Sequence, residues 1–440
     1  MKRQEKKGLS VSVGYTPKSK NVLQTILENH FADFEACYEE KYAKQYRNFK
    51  LEMIADKVHR FLECGDYTKG VAKITCENPE CKHKYFLPFS CKSWFLCPSC
   101  HEKRLLLFSE RMNQEILLLL PHRQFVFTIP KMLRPFFRFN QGLFAEISKL
   151  ISTLISNFYN HVSGERLDSG IIISYQTYGD FLRFNPHWHC IVLEGGVNNE
   201  GKFCHLPIKD TAKLCELFRR KVIHLLFKKG LLDEPKANML LSWKNSGFSV
   251  DNSVLILPHD ENARENISQY ITRHPASLKK IIYEKTKGRV LYHTQYNLYF
   301  KENLKLFEAS DFIAELTQHI PPKHKHYVRY YGLYSSRGKG KTRAEGRLNH
   351  LLPQGFMKAK DPQAVSLIFT DDTPGKKTQR SVWARLIQKV FEVDPLSCPH
   401  CGYEMAIKSF IFDHAELERI VAWIGHTQKP PPIKKLLKIG

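Results

Sequence analysis

His187-Trp188-His189 heads an apolar run, Cys190-Ile191-Val192-Leu193, that stops at Gly195-Gly196. Such a run bounded by glycines reads as a strand. Side chains alternate along a strand, so both imidazoles project from one face and Trp188 from the other. Two imidazoles side by side on rigid backbone can grip one divalent metal ion. Hydrolytic metalloenzymes that extend this pattern to H-x-H-x-D need an acid two residues on, and Ile191 stands there.

Charge narrows the chemistry. The 440 residues carry a formal net charge of +23, an excess that attracts polyanions and says nothing about fold. Nucleic acid is the expected partner, and a metal in such a chain points to phosphate chemistry. No polybasic amphipathic helix and no apolar run of membrane-spanning length stands out. The basic N-terminus has no apolar signal core behind it. A cytoplasmic, nucleoid-associated protein is therefore expected, and its twelve cysteines read as thiolate ligands and core thiols, not disulfides.

Periodicity predicts helices over much of 1–60, from His101 to about Leu120, over 140–162, near 210–229 and over Asn262–Arg273, stopped near Pro275. Strands are predicted at Gln124–Ile129, Ile171–Gln176, His187–Leu193 and near 247–257, the middle two joined through Gly179-Asp180. This mixed order favours α+β with an antiparallel sheet over a doubly wound parallel one. The expected division is a helical region to residue 60, a zinc-binding domain over 61–120 and a catalytic domain over 121–335. A basic linker over 336–390 and a small unit over 391–440 complete it.

Six cysteines fall within 37 residues: Cys64, Cys76, Cys81, Cys91, Cys97 and Cys100. Cys97-Pro98-Ser99-Cys100 is a knuckle that lets two thiolates reach one tetrahedral zinc, and Cys76 with Cys81 can supply the other pair. Cys64, Cys91, His83 and His101 remain as substitutes or members of a second site. Cys398 and Cys401 form half a site with only His400 and His414 nearby, so a plain turn fits them as well.

Two histidines hold a catalytic ion loosely, so a third ligand is expected. Gln176 lies on the preceding strand, across the hairpin, and its amide oxygen would complete a His187, His189, Gln176 set suited to magnesium or manganese. The nucleophile should be able to form a phosphodiester. Tyr270, one of nineteen tyrosines, lies on the helix before Pro275 and is the candidate. Arg273 is expected to touch phosphate. His274, one helical turn from Tyr270, is a candidate to bind metal or polarise the phenol.

Between Lys323 and Arg347 stand eight cations (Lys323, Lys325, Arg329, Arg337, Lys339, Lys341, Arg343, Arg347) and one acid, Glu345. Tyr327, Tyr330, Tyr331 and Tyr334 are interleaved, so cations could follow phosphates while rings stack on unpaired bases.

Several segments then resemble insertion-sequence-91-type transposases. They are Ser90–Arg104, Pro121–Lys131, Gln176–Asp180 leading into His187-Trp188-His189, Leu241-Ser242-Trp243, Tyr270 with Arg273, His319–Tyr334 and Val393–Gly402. The likeness runs in order from about residue 60 to 425. It implies an HUH-type central antiparallel sheet with flanking helices, behind a cysteine-rich zinc-binding domain. It also implies a nuclease and transposase that cuts and rejoins single-stranded DNA at transposon ends and target by a rolling-circle-like route. Tyr270 would take the 5′ phosphate and release a 3′ hydroxyl. Relatives with two tyrosines place the second four residues earlier; Asn266 stands there, so the single-tyrosine branch is implied. The near alternative is a replication initiator or relaxase with the same chemistry, which would lack the cysteine-rich front. A non-catalytic zinc protein that binds nucleic acid is the alternative of another class.

Overall fold

The computed structural model describes residues 20–45, 51–297, 301–322, 324–346, 348–353 and 396–427. The chain opens with α1 (Val22–Lys41), α2 (Leu51–Leu62), β1 (Val71–Cys76), β2 (Lys84–Pro88) and α3 (Pro98–Arg111). Next come β3 (His122–Thr128), α4 (Arg134–Phe139), α5 (Gly142–Ser163), β4 (Gly170–Tyr178), β5 (Phe184–Leu193), β6 (Gly195–Val197) and β7 (Phe203–His205). Then follow α6 (Ala212–Lys228), α7 (Glu234–Ser242), β8 (Ser249–Asp251), β9 (Leu255–Ile256) and α8 (Glu261–Tyr270). The last are β10 (Ile281–Glu284), β11 (Arg289–Asn297), β12 (Glu302–Glu308), α9 (Ala309–Thr317), β13 (Val328–Gly332), α10 (Ser336–Glu345), β14 (Met405–Ile411) and α11 (His414–Thr427). This is α+β, as expected. Among the described residues, no helix is long and apolar enough to cross a membrane.

The chain divides into two compact units. The larger takes His30–Ile54 and most of the chain after Arg104. Its centre is a six-stranded antiparallel sheet in the order β13-β4-β5-β3-β8, with β9 also on β3. β5 is buried along most of its length, because both sheet faces are covered. Phe125, Phe127, Ile173, Trp188, Cys190 and Val192 project to one face, where Phe144, Ile147 and Ile151 of α5 and Phe218 and Val222 of α6 meet them. Ile172, Ile191 and Leu193 project to the other, against Leu117, Ile256, Ile267 and Ile271. The site lies at one end of that second face. A separate three-stranded sheet, β10-β11-β12, adds a wall beside it.

The smaller unit combines the first helix's start, Ala55–Lys103 and the stretch 396–427. Its sheet has the order β14-β1-β2. The C-terminal stretch, expected to stand alone, belongs here instead, because β14 pairs antiparallel with β1 from Val71↔Ile411 to Cys76↔Met405. Leu417, Ile420 and Ile424 of α11 pack with Tyr67, Val71 and Phe86.

Two further expectations fail locally. The stretch from Ser336, read as linker from its glycines and lysines, starts with α10. Ser335 caps it by accepting the Gly338 amide at 3.0 Å. Gly338 is there for closeness: a Cβ would stand 2.1 Å from the Gly332 carbonyl oxygen. The remainder of that linker, 354–390, lies outside the described residues. The strand expected over 247–257 is two short pieces, β8 and β9, both paired to β3.

Candidate active site and metal centres

Strand alternation builds the site. Gln176 lies directly across from His187, and Ser174 across from His189. Pairing slips between Gln176 and Tyr178, which opposes Phe184. Pro186 falls in that bulge, where a residue with no N–H costs no ladder bond. Trp188 is fully buried on the opposite face and donates Nε1–H to the Phe144 carbonyl at 3.4 Å.

The imidazoles of His187 and His189 lie edge to face with centroids 4.7 Å apart. His187 donates Nδ1–H to the Asn185 carbonyl at 2.8 Å, which leaves Nε2 as the free lone pair. The Gln124 side-chain amide sits 3.3 Å from His189 Nδ1. An amide can present either end, and its oxygen there would free His189 Nε2 in the same way. Burial pushes His187 down to about 4 and His189 well below its ordinary value, with the neighbouring Arg273 charge acting in the same direction. Both rings are therefore neutral near pH 7, the form that ligates metal.

α8 brings Tyr270 to these rings. Asp260 caps the helix by accepting the Ala263 amide at 2.8 Å. Arg264, buried, forks onto the carbonyls of Leu117 and Leu118 at 2.9 and 3.0 Å. At the other end, three successive site-face side chains of β4 satisfy carbonyls that a helix terminus leaves over. Ser174 Oγ donates to Ile271 at 2.7 Å, Gln176 Nε2 to Tyr270 at 3.2 Å and Tyr178 OH to Arg273 at 2.5 Å. The Tyr270 ring then meets His189 edge to face at 5.1 Å, is 43% exposed, and has the Arg273 guanidinium 5.4 Å from its centroid.

The helix ends at Tyr270, short of the expected Arg273: the chain tightens to i→i−3 bonds, Thr272 N–H to Gln269 at 3.2 Å and Arg273 N–H to Tyr270 at 3.3 Å. His274 therefore lies beyond it, not one turn along its face, and its Nδ1 meets the Ala276 backbone, 2.7 Å from the carbonyl oxygen and 3.1 Å from the amide nitrogen. Like His189, it is absent from the lining of the cleft of about 220 Å³, which includes Gln176, Tyr178, Asn185, His187, Tyr270, Arg273, Lys280, Tyr292 and Thr294.

Sequence reading missed the supports. Ser174 and Tyr178 could have been found, since they flank Gln176 at period two. Asn185 Oδ1 is buried with no hydrogen-bond partner among the described residues, so the cleft wall carries an oxygen acceptor to spare. Behind the turn between β4 and β5, Phe181 and Leu182 both adopt left-handed backbone, at φ 56° and 58°, which costs about 1–3 kcal/mol each. Buried His319 braces that turn: Nε2–H donates to the Leu182 carbonyl at 2.8 Å, and Thr177 Oγ1 donates to Nδ1 at 3.0 Å.

The donor set of two imidazole Nε2 atoms and the Gln176 amide oxygen, whose Nε2 is already engaged with Tyr270, suits a divalent ion that accepts nitrogen and oxygen.

Of the expected DNA contacts, Arg273 is at the cleft. Lys325 and Arg337 are exposed, and Lys323 lies outside the described residues. Arg329, Tyr330 and Tyr331 are in β13. Pairing of Val328 with Ser174 sends Tyr330 to the histidine face and Arg329 and Tyr331 to the other. Tyr330 and Tyr331 are partly buried, packed against the two cores. Tyr334 is buried and hydrogen-bonded to His122.

The cysteines form two quartets, and neither joins Cys97 and Cys100 to Cys76 and Cys81. Cys97 and Cys100 join Cys64 and Cys91, with all four sulfurs within 4.8 Å of one another. Cys76 and Cys81 instead join Cys398 and Cys401. The reason is topological: Cys76 ends β1, whose partner β14 follows the second knuckle. In the first quartet, Sγ separations are 3.8, 3.5 and 3.6 Å for Cys64–Cys100, Cys91–Cys100 and Cys64–Cys97. Sulfurs about 2.3 Å from one tetrahedral zinc would stand about 3.8 Å apart. The amides of Cys91 and Ser93 donate to the sulfurs of Cys64 and Cys91 at 3.4 and 3.3 Å, which favours thiolates.

Comparison with known proteins defines a DNA-processing enzyme with a zinc-binding module. Residues 31–129 match the family "Transposase zinc-binding domain" and residues 170–342 the family "Putative transposase". The transposase for insertion sequence element IS801 of Pseudomonas savastanoi pv. phaseolicola is 25% identical over 377 residues, spanning 81% of this chain and 83% of its own. No solved structure matches. The chain belongs to the insertion-sequence-91-type transposases with an N-terminal zinc-binding domain; it carries structural zinc, and its partner is DNA.

Proposed function

We propose that this transposase cuts and rejoins single-stranded DNA at transposon ends and target through a covalent 5′-phosphotyrosine on Tyr270, in HUH-type, rolling-circle-like transposition in the cytoplasm, on nucleoid DNA. The observation that carries this reading is the packing of Tyr270 against His189, with Gln176 tied to the carbonyl of Tyr270 itself.

The phenol oxygen attacks phosphorus in line. The O–P bond to Tyr270 forms, the P–O3′ bond breaks, and the 3′ oxygen takes up a proton as the phenol loses one. Magnesium or manganese, held by His187, His189 and Gln176, would supply charge stabilisation at the phosphoryl oxygens. Arg273, over the Tyr270 ring, would hold the phosphate. The bond energy stays in the phosphotyrosine, so a 3′ hydroxyl can reverse the step elsewhere.

The test uses end-labelled single-stranded and duplex oligonucleotides carrying the transposon ends, with and without manganese, resolved on a denaturing gel. A metal-dependent adduct with single strands is expected, absent from Tyr270→Phe and His187→Ala while both still bind DNA. An undiminished adduct in Tyr270→Phe ends the proposal, and a wild type that binds but never forms one favours a non-catalytic role.

A further inference from the structure

We propose that Cys76, Cys81, Cys398 and Cys401 hold a second zinc ion, and that this ion clasps the stretch 396–427 onto the zinc-binding domain. The family match to that domain stops at residue 129, so it omits half of this quartet.

The geometry is that of a single tetrahedral ion. Cys76 and Cys401 sulfurs are 3.5 Å apart and those of Cys81 and Cys398 3.6 Å, close to the tetrahedral edge of about 3.8 Å. An iron–sulfur cluster spreads its cysteines farther than one ion does. All four remain unbridged thiols. The turn of the second knuckle is closed by Gly402 N–H to the Cys398 carbonyl and Cys398 N–H to the Tyr403 carbonyl, both 2.8 Å. Gly402 takes a φ of +71° there, a conformation that suits glycine. Backbone amides of Asn78, His83 and Tyr403 reach the sulfurs of Cys76, Cys81 and Cys401. His83 and His400, one beside each knuckle, stack at 4.2 Å.

The segment needs such a clasp. The quartet joins residues 317 and 325 positions apart. β14 buries only its two end residues and exposes most of its middle, and the apolar cluster beside the quartet consists of Ile74, Tyr85 and Met405 with the cysteines. Ile411, Leu417, Ile420 and Ile424 secure the far end of the stretch; at the knuckle end the core is this small one, and so small a core seldom holds a segment without a metal.

The full chain, purified under reducing conditions, should contain two zinc ions by native mass spectrometry. Cys398→Ser with Cys401→Ser should contain one and lose amide-exchange protection in β1 and β14. Cys401→His, which still offers a ligand, should keep two. Cys401 is exposed, so burial cannot shield it. In wild type, its alkylation should be slow until a chelator is added, then fast together with Cys76, Cys81 and Cys398. One zinc in wild type, two in the double serine variant, a Cys398–Cys401 disulfide, bound iron, or immediate alkylation of Cys401 would each overturn the proposal. The wild-type readings stand even if a variant fails to fold.

Discussion

Tyr178→Phe isolates what the β4 clamp does for Tyr270. The change removes one oxygen and leaves the ring, which is buried and meets His319 at 5.8 Å. Burial holds the phenol above its ordinary pKa, so Tyr178 is a hydrogen-bond donor at every working pH. Its 2.5 Å bond to the Arg273 carbonyl anchors the chain three residues beyond Tyr270. Withdrawing one partner of such a bond costs about 1–3 kcal/mol. Were that cost borne wholly by the ordering of residues 270–273, adduct formation would slow by roughly 5- to 150-fold. Single-turnover adduct formation is the assay, beside oligonucleotide affinity and thermal melting. The expected result is a slower rate within that range, unchanged affinity and melting lower by a few degrees. An unaltered rate would show that the clamp does not position the nucleophile. Complete loss in Tyr178→Phe, with Tyr270→Phe still active, would exchange the roles of the two tyrosines, which line the same cleft.

Acid should unfold the larger unit early. Burial drives His122 and His319 down to about 3 from 6.5, so these two sites alone, besides the lowered His187 and His189, give the unfolded chain two more protons between those values. Stability should fall by at least about 2.7 kcal/mol per pH unit as pH drops below 6.5, and chemical denaturation that shows no change from pH 6.5 to 4.5 would refute it. Gly332→Ala should abolish soluble expression or lower melting severely. Its φ is +57° and a Cβ would stand 1.8 Å from the Ser169 carbonyl oxygen, where Leu333 N–H also bonds at 2.9 Å; wild-type melting would contradict that geometry.

Local chemistry was legible and distant pairing was not. His187, His189 and Gln176 could be grouped from the sequence because a hairpin brings neighbours in sequence into register, and alternation then sets the face. Tyr270 was nameable by its helix, but that helix's end was not, since its last carbonyls bond to side chains nearly a hundred residues earlier. Knuckle spacing says that Cys97 and Cys100 share an ion; it is silent on which pair completes the quartet. Only the pairing of β1 with β14 decides that.

The segment 323–347 shows what periodicity adds to composition. Counted, its cations and tyrosines read as phosphate contacts with rings interleaved for stacking. Read at period two, Val328 and Tyr330 fall on one face and Arg329 and Tyr331 on the other, and a strand with bulky residues on both faces asks for cover on both. β13 is such a strand, although it lies at the sheet edge, because its rings extend the two cores outward. The cations left to meet DNA are those that alternation and capping do not consume. Lys325 before the strand and Arg337 on α10 remain exposed, and Arg273 stands at the cleft. We propose that phosphate contact rests first on these flanking charges.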